Sequence, residues 1–312
     1  MDGSATGVTR AVTLNWIVVC VSAEPKAGME DLAFGAVART GAMPLSWTNL
    51  ADTGPLSAGY MDVQATPDTA TRLRSAVETH LQADIAVMPA ARFGRKRLLI
   101  SDMDSTIIGQ ECIDELADAV GLKPQIAEIT ERAMRGELDF EAALTARVAM
   151  LKGLPLGELE RTLTERITLN DGARTLIATM NSYGAATLLV SGGFTYFTSR
   201  VAQLAGFTAH QGNTLLDDGA SLTGEVARPI LGREAKRSAL MEAAARLGAG
   251  PEDAIALGDG ANDLDMIRAA GLGVAYRAKP LVAAEAMAAI RHTDLTAALF
   301  FQGFRASEFV HG

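Results

Sequence analysis

Two acidic clusters stand about 150 residues apart in this chain, Asp102-Met103-Asp104-Ser105-Thr106 and Gly258-Asp259-Gly260-Ala261-Asn262-Asp263. Carboxylates grouped in this way can ligate a hard cation, attack an electrophile or pass a proton. Each cluster follows a short apolar run that reads as a buried parallel strand, Arg97-Leu98-Leu99-Ile100-Ser101 and Ala254-Ile255-Ala256-Leu257. In an open α/β sheet, residues just past the carboxyl ends of strands line the ligand crevice, so both clusters should face one pocket. Three or four carboxylates converging there would repel one another unless a dication sits among the oxygens. Mg²⁺ is the usual choice, because it takes oxygen ligands and keeps several waters. The clusters therefore read as a metal-dependent phosphate site.

Phosphoryl transfer needs an in-line nucleophile, a group that protonates the leaving oxygen, and positive charge against the equatorial oxygens. Asp102 and Asp104, two residues apart as the chain leaves a strand, can divide the first two roles between them. D-x-D alone is a weak signal that a surface turn satisfies equally well. D-x-D-S-T after an apolar strand is much more specific.

The elements that must position these groups fall into two units, as 312 residues would suggest. Over 1–90 the pattern is β-α-β-β-α-β, with strands expected at 14–21, 43–48, 60–65 and 85–88 and helices at 29–39 and 68–82. Asp68, after Pro67, is the expected N-cap of the second helix. This order resembles the ferredoxin-like ACT domain, a module that binds amino acids or pairs subunits; no side-chain signature for a ligand accompanies it. From about 97 the pattern becomes doubly wound, with strands at 97–101, 185–190, 254–257 and 272–275 and helices at 173–183, 195–205, 233–247, 262–270 and 281–288. Some 70 residues after the first of these strands hold only helix-like runs, near 111–120, 124–135, 139–151 and 156–166. An insertion there would sit over the pocket as a helical cap. The expected fold is thus α/β: a doubly wound parallel sheet in 93–312 with a cap at about 110–170, preceded by a small ferredoxin-like α+β unit in 1–92. A further irregularity at 211–226, with Asp217-Asp218-Gly219 at its turn, reads as a β-hairpin without chemistry.

Composition excludes several classes. A formal net charge of -9 argues against general nucleic-acid binding, and the short basic run Arg92, Arg95, Lys96, Arg97 reads as a solvated linker. Two cysteines, Cys20 and Cys112, give no disulfide framework, and four histidines lack ligand spacing. No stretch reaches the roughly 20 apolar residues that a membrane crossing needs, and the start of the chain lacks a signal pattern, so a cytoplasmic location is expected. Gly258-x-Gly260 does not continue as a dinucleotide fingerprint, because position 263 is Asp.

Beyond this physical reading, Asp102 to Thr106 is similar to the D-x-D-x-T motif of the haloacid dehalogenase superfamily of phosphatases. The later motifs follow in order: Val190-Ser191-Gly192-Gly193, Lys236 within Arg233-Glu234-Ala235-Lys236, and Gly258 to Asp263. The finer pattern resembles the phosphoserine phosphatase family. It includes Glu111-Cys112-Ile113-Asp114-Glu115-Leu116, Ala133-Met134-Arg135-Gly136, Asp139-Phe140-Glu141 and Arg147-Val148. That resemblance implies hydrolysis of O-phospho-L-serine, the last step of serine biosynthesis, through an aspartyl-phosphate. Asp102 would be the nucleophile and Asp104 the acid and base. Mg²⁺ would be held by Asp102, Asp259 and the backbone carbonyl of Asp104, with Asp263 supporting them. Ser191, the Gly192 N–H and Lys236 would face the phosphoryl oxygens, with Asn262 holding Lys236 or a phosphate oxygen. Glu111 would take the substrate ammonium and Arg147 its carboxylate, beside an apolar wall of Phe140 and Met134. From spacing alone, Phe140 and Met134 read as core residues and Arg147 as a surface charge; the family position reverses this.

Two rivals remain at this level. A phosphotransferase of the same fold would pass the phosphoryl group to an alcohol other than water. An amino-acid sensor with a vestigial catalytic unit is opposed by the intact set Asp102, Asp104, Lys236 and Asp259. An ACT-like unit with open sheet edges also makes a homodimer, and serine binding at 1–92, plausible partners of the small-molecule chemistry.

Overall fold

The computed structural model describes residues 12–23, 28–51, 54–134 and 137–312, without the side chains of Glu131, Ala133 and Met134. The N-terminal run forms β1 (Leu14–Ser22), α1 (Met29–Arg39), β2 (Met43–Ala51), β3 (Ser57–Ala65), α2 (Pro67–His80) and β4 (Asp84–Pro89). Its strands lie in the order β2-β3-β1-β4 with antiparallel neighbours, the ferredoxin-like arrangement. Leu73 and Val77 of α2 and Ala33 and Val37 of α1 bury one face of the sheet over Val18, Cys20, Met61 and Val63. The cap of α2 is Thr66, two residues before the expected Asp68. The Thr66 hydroxyl accepts the Thr69 N–H at 3.2 Å, and Pro67 takes the first helical position. Proline suits that place because its missing N–H would be unpaired there anyway.

The remainder follows the doubly wound expectation. After β5 (Leu98–Ser101) come four helices, α3 (Cys112–Ala119), α4 (Lys123–Met134), α5 (Phe140–Ala149) and α6 (Gly157–Arg166). Then follow α7 (Ala173–Ser182), β6 (Ala186–Phe194), α8 (Thr195–Ala205), β7 (Ala209–Asn213), β8 (Leu215–Asp217), β9 (Leu222–Val226), α9 (Arg233–Arg246) and β10 (Ala254–Gly258). The chain ends through α10 (Leu264–Ala269), β11 (Leu272–Tyr276), α11 (Pro280–Glu285), β12 (Ala288–Ile290) and α12 (Ala297–Phe300). Strands β12-β11-β10-β5-β6-β7 are parallel neighbours, so β5 and β10 sit side by side at the centre with their carboxyl ends together. The hairpin β8-β9 carries no chemistry. The side chains of Asp217 and Asp218 accept the N–H groups of Gly219, Ala220 and Ser221 and close the turn.

Two strands of the large sheet lie outside the sequence expectation: β7, which runs parallel beside β6 where only a hairpin over 211–226 is expected, and β12, which begins at the last residue of the helix expected at 281–288, a helix that ends at Glu285. β12 pairs antiparallel with β4 through Ala288↔Ala86 and Ala289↔Ile85, which joins both units into one ten-stranded sheet. The junction is locked by Asp84. This buried carboxylate accepts the N–H groups of Arg291, His292 and Thr293 and the Thr293 hydroxyl, at 2.5 to 2.9 Å. Ile17, Val19 and Val21, on the other face of β1, belong to the same apolar core as β5, β10 and α12. The basic run expected as a solvated linker is also tied down. Arg95 pairs with Glu308 at 2.7 Å and lies over the rings of Tyr183 and Phe304, while Lys96 donates to the carbonyls of Arg92 and Glu252. Guanidinium and ammonium groups are the natural partners for carbonyls and ring faces left over where a short connection crosses between packed layers. Both cysteines are free and buried. Among the described residues, no helix is long and apolar enough to cross a membrane.

Candidate active site

The two acidic loops are joined at their roots, where the Asp102 N–H donates to the Leu257 carbonyl at 3.0 Å. Asp102 is only 4% exposed. From α9, the Nζ of buried Lys236 reaches both loops, 2.7 Å from Asp102 Oδ1 and 2.6 Å from Asp263 Oδ1. The other Asp263 oxygen accepts the Gly260 N–H at 3.0 Å. A Cβ at Gly258 would meet the Asp263 side chain at 2.5 Å, so this glycine serves the close packing of the loop on its own aspartate. Thr106 donates to Asp259 at 3.3 Å.

Burial dominates the electrostatics. It pushes the Asp102 carboxyl upward, with Asp263 adding repulsion and Lys236 opposing both. Lys236 stays charged: burial works against its ammonium, but Asp102 and Asp263 more than offset it. Asp259 is pushed up to about 6 by burial and then by Asp263. Asp104 is also raised by burial, against the Cys112 N–H at 2.9 Å on one oxygen and the Ser191 hydroxyl at 3.1 Å on the other. A carboxyl raised in this way holds a proton more readily, which suits a general acid.

Asp102, Asp259 and Asp263 each bring one oxygen within 4.8 Å of the others. Lys236 and the Gly260 N–H already engage Asp263, while Asp102 and Asp259 also line the open cavity. An all-oxygen set in which Asp102 and Asp259 are both driven upward by burial and by the charge of Asp263 fits a hard dication.

The cavity holds about 390 Å³ and is walled by both acidic loops, the end of β6 and the helical insertion. It brings together Asp102, Asp104, Glu111, Phe140, Arg147, Ser191, Gly192, Asp259 and Asn262. Asp139 caps α5 by accepting the Ala142 N–H at 2.7 Å, so Phe140 opens the helix and Arg147 follows two turns later on the same wall. Phe140 is 39% exposed and is no core residue; its ring end would lie 3.1 Å from a Cβ at Gly192. That glycine thus gives the cap aromatic room to seat against the core. Arg147 makes no ion pair among the described residues, donates to the Ala143 carbonyl at 3.3 Å, and has its pKa lowered by burial. Glu111 lines the cavity and is exposed to solvent there, although protein atoms crowd its carboxyl. Its carboxyl is pushed up to about 7 by burial and by Asp104, although Ser105 donates to it at 2.7 Å. This end of the cavity therefore offers one carboxyl and one guanidinium that has no ion pair among the described residues.

Three expected residues need separate description. Met134 ends α4, and its side chain lies outside the described residues. Lys236 sits behind Asp102, held by Asp263; Asn262 is exposed on the cavity wall. Lys279, Ile113 and Leu144 line the cavity without having been expected. The signal for Lys279 was available: Arg277-Ala278-Lys279-Pro280 follows an apolar strand, and loops after such strands border the crevice.

The haloacid dehalogenase-like hydrolase family matches residues 99–268. A phosphoserine phosphatase from Polaromonas sp. is 45% identical over 212 residues, covering 66% of this chain and 90% of that protein. The unliganded structure of a probable phosphoserine phosphatase from Vibrio cholerae superposes with a TM-score of 0.73 at 30% identity, over 94% of this chain and 87% of that one. A phospho-aspartyl intermediate analogue of phosphoserine phosphatase superposes with a TM-score of 0.61 at 36% identity, over 66% of this chain and 99% of that one. The chain therefore belongs to the haloacid dehalogenase-like hydrolases, beside the phosphoserine phosphatases.

Proposed function

We propose that the protein is a Mg²⁺-dependent phosphoserine phosphatase that converts O-phospho-L-serine and water to L-serine and phosphate, closing serine biosynthesis in the cytoplasm. One observation carries this reading: a single cavity joins the Asp102-Asp104 pair to Glu111 and Arg147, a phosphoryl end and an amino-acid end.

In the first half-reaction an Asp102 oxygen attacks phosphorus while the bond from phosphorus to the seryl oxygen breaks. Asp104 gives its proton to that oxygen, and serine leaves. In the second half-reaction Asp104 takes a proton from water, the water oxygen attacks phosphorus, and the bond to Asp102 breaks. Lys236 keeps one Asp102 oxygen oriented and supplies positive charge beside the phosphoryl group. Ser191 and the Gly192 N–H offer donors to its oxygens, and Asn262 lies at the same wall. Asp102, Asp259 and the Asp104 carbonyl would hold Mg²⁺, with Asp263 behind them; bound there, it would neutralise phosphate charge. Arg147 can grip the substrate carboxylate bidentately and Glu111 can take the ammonium, with Phe140 and Met134 as apolar cover.

In this reading 93–312 is the phosphatase unit, with its cap at about 110–170, and 1–92 is an ACT-like unit. The ferredoxin-like order of β1 to β4 and the open edge of β2 support a role in binding serine or pairing two chains. Phosphate release with and without Mg²⁺, across L- and D-phosphoserine, phosphothreonine and sugar phosphates, tests the proposal. Metal-dependent preference for L-phosphoserine is expected; indifference to phosphoserine with activity elsewhere would sink the substrate assignment.

A further inference from the structure

The cavity lining carries the carboxylates of Asp102, Asp104, Glu111 and Asp259 against two cations, Arg147 and Lys279. Arg147 belongs to the cap. Lys279 lines the same cavity from the segment that leaves β11, the parallel neighbour of β10, whose following loop contributes Gly260, Ala261 and Asn262. It is exposed, and among the described residues it forms no ion pair or hydrogen bond through its side chain. Lys236, by contrast, is already shared between two carboxylates. An incoming phosphate monoester, close to a dianion at neutral pH, meets a lining rich in carboxyl groups, and an ammonium without a partner among the described residues favours its approach.

The backbone under Lys279 is held from a distance. Arg277, just before it, has φ 43° and donates its N–H to the Ile290 carbonyl at 2.8 Å. Lys279 is the N-cap of α11, and its carbonyl accepts the Ala283 N–H at 3.0 Å. The Ala283 and Ala286 carbonyls in turn accept both bonds of one guanidinium nitrogen, Arg74 Nη1, at 2.8 and 2.9 Å. Arg74 belongs to α2 of the N-terminal unit. Two successive hydrogen bonds therefore connect that unit to the backbone of a cation on the cavity wall.

We infer that Lys279 is a substrate-capture residue that takes a phosphoryl oxygen at the cavity edge, and that Arg74 positions it by clamping α11. The inference rests on the phosphatase reading for its biological sense, but it concerns anion capture and is read by binding.

Inorganic phosphate is titrated calorimetrically into the Mg²⁺-loaded full chain at several salt concentrations, for the native protein, Lys279→Met, Lys279→Arg and Arg74→Met. Lys279→Met is expected to weaken phosphate binding roughly five- to tenfold and to flatten its salt dependence, the effect of removing one partly screened charge. Lys279→Arg should keep both. Arg74→Met should weaken binding in the same direction by roughly two- to threefold, with KM for hydrolysis raised and kcat unchanged. Native-like affinity and salt dependence in Lys279→Met, or no phosphate binding by the native protein, overturns the capture role. Native-like affinity in Arg74→Met overturns the positioning role. A native protein that binds phosphate through Lys279 but leaves phosphoserine intact refutes the proposed function and upholds this inference.

Discussion

The Nζ of Lys236 lies 2.7 Å from Oδ1 of Asp102, with both side chains nearly sealed from solvent at 3% and 6% exposure. The pair spends one carboxylate oxygen on the lysine and leaves the other for phosphorus. It also makes the two residues unequal under mutation. Asp102→Asn removes the nucleophile but leaves Lys236 with Asp263, so turnover should vanish while the fold persists. Lys236→Met strands two buried carboxylates together. It should cost about 3–5 kcal/mol of stability, besides a loss of roughly a hundredfold or more in phosphate release. Urea unfolding beside an activity assay separates the two. Full activity in Asp102→Asn would refute its assignment.

The legible part of this site is the part written in short stretches of sequence. Asp102 and Asp259 each follow a compact apolar strand, and parallel neighbours β5 and β10 bring their carboxyl ends together, so local pattern alone was enough to converge them. The helical insertion was legible because glycine and proline divide its helices. What escaped notice depends on contacts distant in the chain. β12 is three residues long, two of them alanine, and has no periodicity to read; its strand character comes from β11 on one side and β4 on the other. Asp84 looked like the start of a short strand, and only the fold shows it receiving four hydrogen bonds from residues some 200 positions later. Lys279 lies in a connection without periodicity, and only the fold brings it to the cavity wall. The glycine at 192 was read for its N–H, whereas its lack of a side chain also seats Phe140.

Metal binding should depend on pH through Asp259. Its carboxyl, raised to about 6 in the metal-free site, carries a proton below that pH, and ligation requires the carboxylate. Affinity for Mg²⁺ should be level above about pH 7 and fall by up to tenfold per unit as pH drops below 6. Protons should be released on binding in that range. Calorimetry from pH 5 to 8 in buffers of different ionisation enthalpy measures both quantities. An affinity flat across pH 5 to 7 would contradict the shift or the ligand assignment.

Arg147 makes a prediction about substrate shape. It carries no ion pair among the described residues, so its guanidinium is available to a ligand carboxylate. Arg147→Lys keeps the charge but loses the planar fork. Its kcat/KM for phosphoserine should fall by roughly ten- to a hundredfold, the worth of a charge-assisted contact. Phosphoethanolamine, which lacks the carboxylate, should be hydrolysed by both proteins at similar rates. Equal losses on both compounds would mean that Arg147 supports the cap and does not read the substrate.

Asp84 tests whether the two units act as one. It sits at the start of β4, the strand whose pairing with β12 continues the N-terminal sheet into the catalytic one, and three of its four donors are backbone N–H groups. Asp84→Ala removes the acceptor from three N–H groups and from the hydroxyl of buried Thr293, at a cost of about 3 kcal/mol. Asp84→Asn keeps an acceptor and should cost less. Because β12 is short, this loss should open the junction before it unfolds the catalytic core. Amide hydrogen exchange should therefore rise at 288–293 while protection in β5 and β10 is kept. Exchange that rises uniformly over the whole chain would show that the ten-stranded sheet unfolds as a single cooperative unit, with Asp84 stabilising all of it alike.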